Sequence, residues 1–192
     1  MYNDVTISNT EENMDNIILG LLLLSGRTIY QLRDRINKGM NLMFSSSMGS
    51  IQAAIKKLLA SGCIDFTEVV ENGKYKKVYH ITDTGRTVFL QWVNAPMEDA
   101  GMKFPNLAKV YFMGFAQQEN RERSILQQLE HLKQQHALLE SICSEGCTMQ
   151  VPAEAADILK YQLQSAMYGR DLIKFNIDWF ENLLNQIRSE AK

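Results

Sequence analysis

Residues 45–86 read SSSMGSIQAAIKKLLASGCIDFTEVVENGKYKKVYHITDTGR, and the order of signals within them decides the fold. Three serines, Ser45, Ser46 and Ser47, offer capping oxygens just ahead of an apolar set at helical spacing, Ile51, Ala54, Ile55 and Leu58. Met48, Gln52 and Lys56 fall on the other side of that helix, and Gly62 closes it. Two short β-prone runs follow, Cys63 to Val70 and Lys76 to Thr82, on either side of Asn72-Gly73. Asn-Gly is the dipeptide best suited to a two-residue hairpin turn, because both of its residues tolerate positive φ. Thr82 then caps a helix reaching about Val93.

Working outward, an apolar helix from about Met14 to Ser25 carries Ile17, Ile18, Leu21, Leu22 and Leu24 and ends at Gly26. A short helix from about Thr28 to Asn37 places Ile29, Leu32 and Ile36 on one face, and Gly39 ends it. Three short helices followed by a hairpin are the winged helix-turn-helix arrangement. Residues 1–13 lack periodicity and read as a flexible arm, 14–95 as the winged helix-turn-helix domain and 96–105 as a linker.

Beyond the linker, 106–192 contain long helices only. Ile125, Leu129, Leu132, His136, Leu139 and Cys143 step by four and three. Ala156, Leu159, Leu163, Ala166, Arg170, Ile173, Ile177, Phe180, Leu184 and Ile187 do the same. Seams this long suggest that part of the apolar surface is buried against a second copy, so the segment reads as a helical dimerisation domain; an antiparallel pair within one chain is the simpler alternative. The fold class is thus mainly α with a small β-hairpin wing.

A net charge of −2 over 192 residues argues against indiscriminate coating of nucleic acid. The charge is segregated, however. From Arg27 to Arg86 ten basic residues stand against five acidic ones, about +5, an electrostatic footprint that a phosphate backbone can use. Three cysteines, Cys63, Cys143 and Cys147, are too few for a secreted disulfide framework. No signal peptide opens the chain, and the apolar run from Ile17 to Leu24 is too short to span a bilayer, so a cytoplasmic location is expected, with no membrane partner. No phosphate loop, His-Glu-x-x-His or nucleophile elbow is present; neither an enzyme, a metal site nor a cofactor is expected.

The start of a helix lying in the major groove contacts base edges. Ser46, Ser47, Met48, Ser50 and Gln52 occupy that start: Gln52 suits a bidentate contact to adenine, Met48 a thymine methyl, and the serines phosphate or either base edge. Lys56 and Lys57 suit phosphate. The hairpin adds Lys74, Lys76 and Lys77 around Tyr75, a cationic tip that supplies affinity more than specificity; lysines there also protect an exposed strand edge. The expected partner is double-stranded DNA.

The block from Ser47 to Ile64 resembles the recognition-helix pattern of the PadR family, and Gly73 to Arg86 its wing and following helix. Ile18-Leu-Gly-Leu-Leu22 and Tyr30-Gln-Leu32 are similar to the family's first two helices; beyond residue 93 the likeness is looser. The resemblance implies a homodimer built through the C-terminal helices on a near-palindromic operator, usually a repressor released by a small molecule. The family commonly has tyrosine where Met48 and Gln52 stand, proline at Ala53 and glycine at Ile29, which implies a different operator. A winged-helix interaction adaptor without sequence-specific DNA contact is the rival function.

Trp92, Phe115 and Trp179 are candidates for the wall of a site for a small aromatic effector, with core packing as the plainer role. His136 and Arg170 occupy seam positions, which suits a wet edge or a polar partner. Cys143 and Cys147 are four residues apart, a spacing that is weak support for thiol or metal chemistry.

Overall fold

The computed structural model describes residues 3–39, 47–71, 74–97 and 105–190, with the side chains of 14–37, 47–70, 75–97 and 106–189. It divides into two compact units, Met1–Asp99 and Ala100–Lys192. Residues 98–104, most of the expected linker, lie outside the described residues.

The N-terminal unit has the order α1 (Asn3–Leu24), α2 (Ile29–Gly39), α3 (Met48–Ala60), β1 (Ile64–Glu71), β2 (Lys74–Ile81) and α4 (Asp83–Asn94). Helix α1 begins at Asn3 rather than near Met14. The polar residues 3–13 carry no apolar stripe, so periodicity could not register them; once the buried half of the helix is nucleated, each further turn costs little. Ile17, Ile18, Leu19, Leu21 and Leu22 are buried, whereas Leu24 at the end of the helix is exposed. Together with Leu32 and Ile36 of α2 and Ile51, Ala54, Ile55 and Leu58 of α3, they form one core.

Each element is stopped by local chemistry. At α2 the Thr28 N–H donates to Gln31 Oε1 (2.8 Å) and the Gln31 N–H to Thr28 Oγ1 (3.3 Å), a reciprocal capping box. Helix α3 ends in a Schellman motif: Cys63 N–H reaches the Leu58 carbonyl (2.9 Å) and Gly62 N–H that of Leu59 (3.1 Å), with Gly62 at φ +68°. Thr82 Oγ1 accepts the Gly85 N–H at the start of α4 and donates to the Gly62 carbonyl (2.7 Å), tying the two helix ends together. A Cβ at Gly85 would overlap the Cys63 carbonyl oxygen, so only glycine admits this approach.

The antiparallel hairpin pairs Ile64 with Ile81 through to Glu71 with Lys74, longer than the expected runs at the turn end. Asn72 and Gly73 lie outside the described residues. Arg27 adds a third strand position that sequence periodicity missed, its N–H bonding the Tyr79 carbonyl (3.1 Å) and its carbonyl accepting from Tyr79 N–H (2.9 Å). A single bridged residue has no alternation to read.

The C-terminal unit holds a short helix, α5 (Pro105–Tyr111), a 3₁₀ turn (Met113–Phe115) and two long helices, α6 (Gln118–Thr148) and α7 (Ala153–Glu190). Its core joins Ile125, Leu129, Leu132 and Leu139 of α6 to Ile173, Ile177, Phe180, Leu184 and Ile187 of α7. The two predicted seams therefore close on each other within one chain. A second stripe on α7 was not anticipated: Ile158, Tyr161, Tyr168, Phe175 and Trp179 are exposed, with Leu172 half-buried between them. Their spacing of three, seven, four, three and four puts the stripe about 130° around the helix from the core.

Candidate nucleic-acid interface

Helix α3 turns Ile51, Ala54, Ile55 and Leu58 inward and leaves Ser47, Gly49, Gln52, Ala53, Lys56 and Lys57 exposed. At 100° per residue Gly49, Gln52, Ala53 and Lys56 share the outermost face. The helix start is rigidly built. Ser50 N–H donates to Ser47 Oγ (3.0 Å), while Ser50 Oγ donates to the Ser47 carbonyl (2.8 Å). Both hydroxyls thus serve the cap, which restricts what they can offer a base edge, whereas the amides of Met48 and Gly49 point out of the first turn with no carbonyl inside the helix to reach. Met48 is half-buried beside this end; Ser46 lies outside the described residues.

Adjacent lysines on α3 diverge. Lys56 is exposed on the outer face. Lys57 sits on the flank towards α1, its Nζ 2.6 Å from the Asp15 carboxylate.

The hairpin register also separates the basic residues that sequence reading grouped into one tip. Tyr75 and Lys77 lie on the face shared with Phe66 and Tyr79, opposite Val70 and Glu68 respectively. Lys74 and Lys76 belong to the other face, opposite Glu71 and Val69; the Lys74 side chain lies outside the described residues. Lys77 Nζ rests 3.9 Å from the centre of the Phe66 ring. Tyr75 is 81% exposed, and Val70 opposite it is exposed as well. Nearer the base, His80 packs against Gly26 and its Nε2 lies 3.1 Å from Thr67 Oγ1. On α2, Tyr30, Arg33 and Arg35 are exposed, with the Arg33 guanidinium 5.8 Å from the Tyr30 ring centre. The two arginines entered the charge count, but no spacing signal singled them out.

The candidate effector residues are divided between the two units, Trp92 in the first and Phe115 and Trp179 in the second. Trp92 lies half-exposed on α4 against Phe89, with ring centres 5.9 Å apart. Phe115 is 92% exposed in the 3₁₀ turn, and Trp179 meets Phe180 edge-on at 5.0 Å. Open grooves of the C-terminal unit are lined by other residues, among them Leu126, Leu129, Lys133, Ala137 and Leu184 along α6 and α7.

Arg170 occupies a wet seam edge, bonded to Asp171 (2.8 Å) and 3.8 Å from Glu140. Those carboxylates hold its guanidinium firmly protonated, the Asp171 hydrogen bond contributing most. His136 is half-buried. Burial pushes the Cys143 thiol up, with Arg170 partly opposing, while Cys147 is exposed. Among the described residues no cluster of three His, Cys, Asp or Glu side chains is placed to hold a metal ion, and no helix is long and apolar enough to cross a membrane.

A capped helix with a polar outer face, followed by a hairpin bearing lysines, defines a winged helix-turn-helix protein of the class that binds DNA and regulates transcription. Residues 18–91 match the model of the transcriptional regulator PadR-like family. That match covers the winged-helix unit, less than half of the chain. The chain's architecture is similar to that of Bacillus subtilis PadR in complex with operator DNA (22% identity, TM-score 0.71, covering 90% of this chain and 98% of that one). The same protein in complex with p-coumaric acid gives 21% identity and a TM-score of 0.66, over 93% and 97% of the two chains. The PadR-like regulator BC1756 from Bacillus cereus gives 20% identity and 0.72, over 90% and 94%. At these identities the structures establish a shared fold. A comparison with curated proteins finds no match.

Proposed function

We propose that this chain works in the cytoplasm as a homodimeric repressor, each subunit placing α3 in one of two successive major grooves of a near-palindromic operator. The observation that carries the reading is the outer face of α3, where Gln52 and Lys56 stand exposed on a helix whose start is capped and whose opposite face is fully buried. Gln52 reads a base, with Met48 and the amides of the first turn beside it; Lys56 neutralises phosphate. The wing contributes Tyr75, Lys76 and Lys77, with Lys74 next to the turn, along the backbone.

The exposed stripe on α7 supports the dimer. A contiguous aromatic and aliphatic row of this kind is rarely left to water. Release by a small aromatic molecule is supported by the relative solved with p-coumaric acid; Trp92, Phe115 and Trp179 are the residues to substitute first.

Fluorescence anisotropy on duplexes selected from random DNA tests the reading. With roughly 6–10 phosphates neutralised, affinity falls about a thousandfold or more between 50 and 200 mM salt. Gln52→Ala changes base preference at one position of each half-site by about 1–3 kcal/mol. Lys76→Ala with Lys77→Ala weakens all duplexes alike. Absence of any selected sequence overturns the proposal in favour of a protein-binding winged helix.

A further inference from the structure

We propose that Asp15 of α1 is a positioning residue for the recognition helix, holding the Lys57 ammonium so that α3 is fixed in its roll on α1 and one positive charge is withheld from the duplex. The inference rests on the DNA-binding reading above. It starts from a contrast between neighbours: Lys56 and Lys57 are adjacent in sequence, yet successive helix positions diverge by 100°, which sends one outward and the other towards α1. The Lys57 Nζ lies 2.6 Å from Asp15 Oδ2. Asp15 is itself set into the packed surface of α1, its side chain only 14% exposed, between buried Met14 and Asn16.

That asymmetry of exposure decides the competition. The Lys57 side chain is 58% exposed, so burial does not keep it from an approaching phosphate. Moving it there strips a mostly buried carboxylate of its cation, and an uncompensated charge away from water is costly, whereas an exposed pair exchanges partners almost freely. Phosphate must therefore compete with a partner that cannot be rehydrated cheaply. Lys57 also lies in the last turn of α3, where a cation complements the helix dipole without any contribution from DNA. Asp15 thus joins α1 to the C-terminal turn of α3 and leaves Lys56 and the exposed start of the helix to meet the duplex.

The salt dependence of DNA binding separates this from a merely structural role, because the slope of log affinity against log salt counts phosphate contacts. Asp15→Asn removes the carboxylate beside the Lys57 ammonium and steepens the slope by up to about 0.9 per subunit. Non-operator DNA is then bound several-fold tighter at 50 mM salt, and discrimination falls. Lys57→Gln, its fold checked by circular dichroism because the change leaves Asp15 without this cation, keeps the wild-type slope. The double variant Asp15→Asn, Lys57→Gln returns to the wild-type slope.

A slope made shallower by Lys57→Gln alone overturns the proposal, since Lys57 would then be a phosphate contact in the native protein. An unchanged slope in Asp15→Asn overturns it equally. Either result, with wild type still binding DNA, leaves the functional reading standing; failure of the wild-type protein to bind any duplex removes both.

Discussion

The two units of this chain solve the same burial problem in opposite ways. In the N-terminal unit the apolar faces of α1, α2 and α3 converge on one centre, and every described helix junction is closed by a specific local device: the Thr28–Gln31 box, the Gly62 turn, the Thr82 cap. The C-terminal unit relies on two helices of 31 and 38 residues, joined along one seam. Here α7 carries more apolar surface than α6 covers, and the excess forms the exposed stripe from Ile158 to Trp179. Local punctuation specifies a closed domain, whereas periodicity specifies a helix and leaves open how many neighbours it has.

The sharpest test of that contrast is on α7 itself. Phe180→Ala empties a core position and lowers the stability of the C-terminal unit by about 3–5 kcal/mol, measured by thermal unfolding. Tyr168→Glu on the exposed stripe leaves helicity intact and instead shifts the sedimentation coefficient from dimer to monomer. A large loss of helicity in the Tyr168 variant would place that residue in an intramolecular core and break the comparison.

In the N-terminal unit the corresponding tests fall on the junctions. Gly85→Ala forces a methyl group into the Cys63 carbonyl and costs about 1–3 kcal/mol through displacement of α4 from the end of α3, read in the denaturation midpoint. Thr28→Ala removes one half of a capping box and costs about 1 kcal/mol, visible as faster amide exchange in the first turn of α2. If Gly85→Ala proved neutral, the junction between α3 and α4 would be looser than its hydrogen bonds imply.

Much of the fold was legible because its signals are short-range. Ile51, Ala54, Ile55 and Leu58 announced the inward face of α3, and Gly62 its end, since a Schellman turn needs only neighbouring residues. The exposed face proposed to meet DNA was legible in part: Gln52 and Lys56 fall where helical spacing puts them. The division of the wing lysines between two faces follows from strand alternation and was open to the same reading. The roles of Lys57 and Arg27 were not, because the partners that define them, Asp15 and Tyr79, are distant in the chain.

Residue types and their spacing were therefore sufficient for the winged-helix order, the capped start of α3, the hairpin and the two long helices, all of which depend on hydrogen bonds and periodicities spanning a few residues. Tertiary packing alone decided that the seams of α6 and α7 consume each other, that a different stripe stays open, and that Asp15 of α1 lies against Lys57 of α3. Those outcomes depend on which surfaces meet across the core, and a burial pattern along one helix carries no record of the partner that buries it.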